Sequence, residues 1–474
     1  TGLQTVQLPS TLTAIGKSAF EECTALNGMT LPLGLTSLGV SAFYNCSGWS
    51  GELLLPDKLT IGSCAFYNCS ALTGTLRIPS GVTVGDYAFW KCSGLTRLEI
   101  AEGTPKLGNS AFLDCAGLKS VKMAISQKYD AKTAYEEPPA SVMDHWENYY
   151  GTFAKCYNIN TIEYTPGDGT AFDPYAEYSG GALNIICHLQ RIILDEGITA
   201  IPDDFCHLCT GLQTVQLPST LTAIGKSAFK ECTALNNINL PSGLLTLGES
   251  AFSGCSGLTG ELTLPEKVTV GPYAFCSCTG LSGSLKVTAG VTVEEHAFDS
   301  CTGIAALEIE EGEPELGAGA FNKCAGLTSV KMAQSQKYDY QTIRYASGYV
   351  YHGTFSECSN IETIEFTPGD GTILDVKAES GSIVQVAKGK LSSVIYEERI
   401  TEIGDSALKD CEALYSVKLP STLKAIGDSA FENCTKLPEI FLPAGLERIG
   451  GSAFYNCSGL TGELTLPEKV TVGP

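Results

Sequence analysis

The feature that most constrains this chain is an interval. Cys23, Cys46, Cys69, Cys92 and Cys115 are spaced by 23 residues each time, as are Cys209, Cys232, Cys255, Cys278, Cys301 and Cys324, and again Cys411, Cys434 and Cys457. With Cys156 and Cys358, 16 of the 20 cysteines stand in one recurring context, typically Ala-Phe-x-x-Cys, as in Ala42-Phe43-Tyr44-Asn45-Cys46. An even cysteine count invites a disulfide framework. A residue that returns once per structural unit is instead a packing element, and the reading is a column of small, buried, reduced thiols, since Cys behaves as a small hydrophobe.

Self-similarity at 20 to 29 residues is the mark of a solenoid. One unit runs Leu235-Asn-Asn-Ile238-Asn-Leu240-Pro241, then Leu244, Leu247-Gly248 and Ala251-Phe252-x-x-Cys255. Ile238-x-Leu240 alternates as a strand with one buried face. Pro241 ends it, because Pro has no N–H to donate to a ladder. Gly248 marks a turn, and Phe252 and Cys255 have the spacing of a single helical or 3-10 turn. Each unit is too small to bury its apolar face alone, so stacked neighbours supply the core. In Leu258-Thr-Gly-Glu-Leu262-Thr-Leu264-Pro265 one extra residue precedes the Pro and one fewer follows it before Gly271, so the interval stays at 23. The same compensation recurs from Trp49 to Gly62 and from Leu72 to Gly85.

A pattern of Leu-x-x-Leu-x-Leu-Pro followed by Ile-Gly-x-x-Ala-Phe-x-x-Cys closely resembles the BspA-like leucine-rich repeat family, over nearly the whole chain. The resemblance implies a curved, mainly β repeat solenoid with a concave parallel β-sheet of short strands and 3-10 turns on the convex side. It also implies a secreted or cell-surface setting and adhesive or host-protein binding. Such motifs specify fold and not ligand.

A longer period overlies the short one. Thr1 to Asn27 returns as Thr210 to Asn236 with Glu21 replaced by Lys230, and Ser256 to Pro272 returns unchanged as Ser458 to Pro474. The expectation is one solenoid over 1–474 built from super-repeat copies 1–209, 210–411 and an incomplete 412–474. It begins and ends inside a repeat, as a piece of a longer protein would.

Acidic residues exceed basic ones by 52 to 30, for a net charge of −22. That balance argues against nucleic acid, where affinity depends on neutralising phosphates, and no apolar run approaches the ~20 residues of a membrane span. Alternation places Arg77, Lys122, Lys286, Lys331 and Phe441 outward on the predicted sheet, whose two outward rows are together nearly neutral. The acidic excess then belongs mainly to loops and the convex side, where it favours solubility.

Two places break the rhythm in each full copy. One runs from Ser126 to Phe153 and is matched from Ser335 to Phe355. It holds Tyr129, Tyr135, Trp146, Tyr149 and Tyr150, then Tyr338, Tyr340, Tyr345, Tyr349 and Tyr351, so that nine of the 20 tyrosines fall in about a tenth of the chain. Amphipathic rings are favoured at interfaces, and insertions often map to a binding face. The competing reading is a hairpin whose rings pack against the solenoid edge, since Tyr is also a common strand residue. The other interruption begins at Pro166-Gly-Asp-Gly-Thr170 and at Pro368-Gly-Asp-Gly-Thr372. Asp168, Asp173 and Glu177, with Asp370, Asp375 and Glu379, offer oxygen ligands for Ca²⁺, but the spacing is not that of an EF-hand and a tight turn explains it.

Catalytic motifs of the nucleophile-elbow, Walker A, zincin and dinucleotide-binding kinds do not occur, so the chain reads as a non-enzyme without a cofactor. Cys187, His188, Cys206, His207 and Cys209 form a zinc-like cluster in which one member is the repeat cysteine, and no metal is assigned. Cys64 and Cys276 read as buried substitutions. The functional reading is a secreted or cell-surface protein binding a protein or glycan, with no nucleic acid and no transmembrane segment. The alternative is a spacer whose binding domain lies elsewhere.

Overall fold

A computed structural model describes the chain except residues 1, 104, 126–151, 154, 168–187, 313, 335–339, 346–347, 370–382 and 462, and only the backbone of 340–352. The candidates Tyr129, Tyr135, Trp146, Tyr149, Tyr150 and Tyr338, both sets of calcium candidates and Cys187 lie outside the described residues. The chain forms two compact units, Thr1–Leu221 and Thr222–Pro474. Each is a mainly β, parallel solenoid of stacked coils, as the 23-residue interval predicts.

Within the first unit the strands Gly74–Ile78, Leu95–Ile100, Ser120–Ala124, Thr161–Thr165, Arg191–Leu194 and Thr214–Gln216 pair in parallel into one six-stranded sheet. The second unit repeats it from Gly283–Val287 to Ser416–Lys418. Inward positions are buried, with Leu76, Leu98, Val121, Ile162 and Ile192 in one column. At Ile238–Leu240 the burial alternation survives, but the segment is not a strand. Along this stretch the backbone bond to the next coil runs from Thr259 N to Asn236 O at 3.1 Å, ahead of Ile238. That next coil carries the extra residue noted in the sequence, so the two run out of register. The extra residue is absorbed at positive-φ glycines, Gly51, Gly74, Gly260 and Gly283, with a register shift at Gly74 and at Gly283. A bulge of this kind lengthens one strand without moving the rest of its coil.

A second parallel ladder was not legible. Two-residue strands pair at Leu38, Ile61, Val84 and Leu107, and at Leu247, Val270, Val293 and Leu316. The glycine after each apolar residue marks close approach of coils more than a turn. A Cβ on Gly248 would stand 2.5 Å from Lys226 N, and one on Gly85 would stand 2.7 Å from Ser63 N.

The Ala-Phe-x-x-Cys block builds a third ladder. In the coil of Cys255, the N–H groups of Ala251, Ser253 and Cys255 donate to the carbonyls three residues back, each at 3.1 Å. Those of Ser250, Phe252 and Gly254 donate to Pro272, Ala274 and Cys276 of the next coil at 2.7–2.8 Å. Every second donor closes a 3-10-type turn and every other one reaches a neighbour, so no continuous 3-10 helix forms. This alternation requires a left-handed residue before Ala and another before Cys, such as Ser41 and Asn45 or Tyr87 and Lys91, at φ of 55–62°.

Beneath these turns lies the core. The rings of Phe20, Phe43, Phe66, Phe89, Phe112 and Phe153 stack at 5.1–5.7 Å, and those of Phe229, Phe252, Phe275, Phe298, Phe321 and Phe355 at 5.2–5.6 Å. Each such pair contributes about 0.5–1.5 kcal/mol beyond its area. The repeat cysteines lie beside them, buried except for the partly exposed Cys23 and Cys457, and do more than fill space. Cys92 Sγ donates to Phe66 O at 3.1 Å, Cys278 Sγ to Phe252 O at 3.1 Å and Cys358 Sγ to Phe321 O at 2.9 Å. No disulfide joins the described cysteines. Cys64 is buried and Cys276 partly so.

Both interruptions are partly visible. Tyr340–Tyr345 and Gly348–Gly353 form an antiparallel hairpin that is a sheet of its own. After the second, the helix Ile383–Ala387 buries Ile383, Val384 and Ala387 where other coils have Phe and Cys, and it leads to the strand Ser393–Tyr396.

Candidate binding surfaces

The long-strand sheet exposes the charged candidates, and in-register pairing sets their neighbours. Arg77 is opposite Glu99, Lys122 opposite Glu163, Lys286 opposite Glu308 and Lys331 opposite Glu365. A parallel register repeated every coil places opposite charges side by side, which stabilises the pair.

In the first unit Arg77 meets Glu99 at 3.2 Å, while Arg97 meets Glu99 at 2.8 Å and Glu163 at 3.2 Å. Lys122 contacts Glu163 and reaches Asp195 at 2.9 Å. Burial disfavours the Lys122 charge, yet the two carboxylates outweigh it and hold the ammonium above the ordinary lysine range. Burial likewise works against the Glu163 carboxylate, and Lys122 and Arg97 keep it below the usual range. In the second unit Lys286 meets Glu310 at 2.7 Å and Glu308 at 3.8 Å, and Lys331 contacts Glu365 at 2.7 Å and Glu397. Glu365 and then Glu397 raise the Lys331 ammonium, and Lys331 lowers Glu397.

The four cationic candidates are therefore engaged by the sheet's own carboxylates. Such a face is a charge-matched mosaic; a ligand carboxylate must displace a resident one to reach Lys122 or Lys331. Phe441 differs: it is 74% exposed, but it follows the last long strand, Ser416–Lys418, and lies in no strand itself, so the sheet position expected from alternation is not formed.

The hairpin carries Tyr340, Tyr345, Tyr349 and Tyr351. Its register sets Tyr340 across from Gly353, Thr342 from Tyr351, Arg344 from Tyr349 and Tyr345 from Gly348. With the two-residue period of a strand, Tyr340, Arg344, Tyr349 and Tyr351 fall on one face of the hairpin and Tyr345 on the other.

Of the zinc-like cluster, Cys187 lies outside the described residues, and among the described residues no three His, Cys, Asp or Glu side chains are placed to hold a metal ion. His188 lies against Tyr157 at 5.8 Å, and His207 is 3.9 Å from Asp204. One surface was missed from sequence. Tyr44, Tyr67 and Trp90, at the same x position of three successive Ala-Phe-x-x-Cys blocks, line up on the outside of the turns. The signal was present in the block spacing, which places equivalent residues one coil apart.

The model of the BspA type leucine rich repeat region matches residues 1–119, 51–137, 184–292, 283–377 and 386–473. No curated protein sequence matches the chain. Among solved structures, a leucine-rich repeat protein from Bacteroides ovatus ATCC 8483 is similar at 20% identity over 98% of this chain and 78% of that one, with a TM-score of 0.26. A leucine rich cell surface protein from Faecalibacterium prausnitzii A2-165 is similar at 20% identity over 76% and 82%, with a TM-score of 0.26. The T. pallidum leucine rich repeat protein is similar at 19% identity over 53% and 78%, with a TM-score of 0.23. Matched by the family model along most of its length and built from coils that carry the family's repeat, the chain belongs to the BspA-type leucine-rich repeat family.

Proposed function

We propose that this chain is a secreted or cell-surface binding module that holds a host or matrix protein or glycan, with the tyrosine insertions as its principal contacts. The observation that carries this is the hairpin Tyr340–Gly353, which leaves the coil rhythm to form a sheet of its own and gathers three tyrosines and Arg344 on one face. Tyr and Arg are the residues that most often carry interface energy. The long-strand face, with its cations already paired, contributes a neutral platform, and Phe441 adds an exposed ring outside that sheet. Two super-repeats in one chain offer two insertions, and linked sites raise effective concentration. The solenoid acts without catalysis in this reading. No described helix is long and apolar enough to cross a membrane.

Replacing Tyr149, Tyr150, Tyr349 and Tyr351 together by Ala is expected to abolish capture on an immobilised panel of matrix proteins and glycans, with the thermal midpoint nearly unchanged. Undiminished capture removes the insertions from the account. A second reading, a structural spacer, is favoured by the three hydrogen-bonded ladders that run from coil to coil in each unit. It gains if the parent chain captures nothing on the panel.

A further inference from the structure

The turn face of the first unit carries a row of aromatic rings that the fold does not need. Tyr44 stacks on Tyr67 with centroids 4.5 Å apart, Trp90 stands perpendicular to Tyr67 at 5.0 Å, and Tyr87 lies 5.6 Å from Trp90. Lys91 Nζ sits 5.4 Å from the Trp90 ring and 5.8 Å from the Tyr67 ring, and donates to Tyr67 Oη at 3.5 Å. Beside the rings runs a polar strip in which Asn68 Nδ2 donates to Asn45 Oδ1 at 2.7 Å. All four rings are half-buried, with the Phe stack beneath them already filling the core.

The second super-repeat serves as an internal control. At the positions of Tyr44, Tyr67 and Trp90 it has Ser253, Cys276 and Asp299, and its coils keep the same turns, the same Phe stack and the same thiol bonds. The outer rings are thus dispensable for building a coil, and their hydrophobic surface is held half in water.

We infer that this row binds a neutral, β-linked polysaccharide strand, with one sugar of the strand lying along each coil. The ring row advances by 4.5–5.0 Å per coil, a step comparable to one pyranose unit of an extended chain. Sugars present C–H groups and hydroxyls together, and the row, with Tyr44 and Tyr67 face to face, offers ring edges beside phenol, amide and ammonium groups. Charge selects the class. A chain of net charge −22 repels polyanionic glycans, and the one cation in the row is already held over two rings. This surface is independent of the tyrosine insertions.

The test is native affinity electrophoresis of the whole chain through gels containing mixed-linkage β-glucan, xylan or galactomannan, with dextran sulfate as the polyanion control. Retardation by at least one neutral polymer is expected, together with a shift in Trp emission. The variant Tyr44→Ser, Tyr67→Ser, Trp90→Asp, built from side chains the second copy tolerates or nearly so, is expected to bind at least about tenfold more weakly. The variant Tyr349→Ala, Tyr351→Ala is expected to bind as the parent does. If the triple variant unfolds, Tyr44→Ser alone is read by the emission shift under the same criteria. No retardation of the parent by any neutral polymer overturns the inference. So does full binding by the ring variant, equal retardation by dextran sulfate, or loss of matrix-protein capture alone.

Discussion

The thiol column is the clearest case of a residue choice explained at atomic scale. A Cys in the repeat packs like Ala or Val, but it also donates S–H to the carbonyl of the preceding coil's Phe, an oxygen that already accepts the N–H of that coil's own Cys. Phe66 O, for instance, receives Cys69 N at 3.2 Å and Cys92 Sγ at 3.1 Å. This bond spans 26 residues and not 23, so the interval that revealed the column could not reveal the bond. Burial was legible from recurrence; the donor role required coordinates. A consequence follows for alkaline stability. Desolvation pushes the Cys92 thiol from its ordinary value near 9 up to about 12, and Cys411 likewise to about 12. Above the ordinary value the unfolded thiols lose their protons while the folded ones keep them, so the unfolded state is favoured. The stabilisation is complete below pH 9 and is lost as pH rises toward 12, at about 1.4 kcal/mol per pH unit for each such thiol. Urea midpoints measured from pH 7 to pH 10.5 should therefore fall steeply above pH 9. A flat profile would mean that the column is not held protonated by burial.

Among the elements, the two-residue ladder shows what sequence reasoning passes over. Leu247-Gly248 has no alternation to count, so its strand pairing leaves no periodic trace, and its glycine reads naturally as a turn. The geometry assigns it to contact between backbones. Gly85→Ala would thrust a methyl to within 2.7–2.8 Å of Ser63 N, Gly62 C and Ile61 O, none of which is a flexible side-chain end. Such crowding typically costs about 1–3 kcal/mol. Gly34 is a fitting control, since the nearest atom to its Cβ position is Ser10 O at 3.8 Å. Gly34→Ala should leave stability unchanged or raise it by up to about 1 kcal/mol, by narrowing the unfolded ensemble. Equal midpoints for both variants in urea would show that the coils can separate at this column without penalty. The one extra residue before Pro265 fared better in the sequence, where its cancellation within the coil kept the interval at 23; that it is taken up at Gly260, with φ of 82°, needed the structure. The helix Ile383–Ala387 left no such sign, because Ile383, Val384 and Ala387 fill the core without the repeat motif.

For the whole molecule, the charge balance sets two electrostatic effects against each other. Pairs such as Lys122 with Asp195 and Lys331 with Glu365 attract at contact distance, and added salt weakens them modestly because they are partly exposed. The 22 surplus carboxylates repel over longer range, and their repulsion in a folded chain exceeds that in an expanded one. At about 0.01 M salt the screening length is roughly 30 Å, so charges many coils apart within a unit still interact; at about 0.15 M it is roughly 8 Å and only near neighbours do. The contact pairs are hardly touched by that change, whereas the long-range repulsion is largely removed. Raising NaCl across this range should therefore increase the thermal midpoint, by several degrees for a chain so far from neutrality. Lys331→Met, which frees Glu365 and Glu397 and adds one more net negative charge, should lower the midpoint most in the low-salt buffer and least in the high. A midpoint that instead falls with salt would mean that the paired sheet charges, and not the acidic excess, govern the stability of the solenoid.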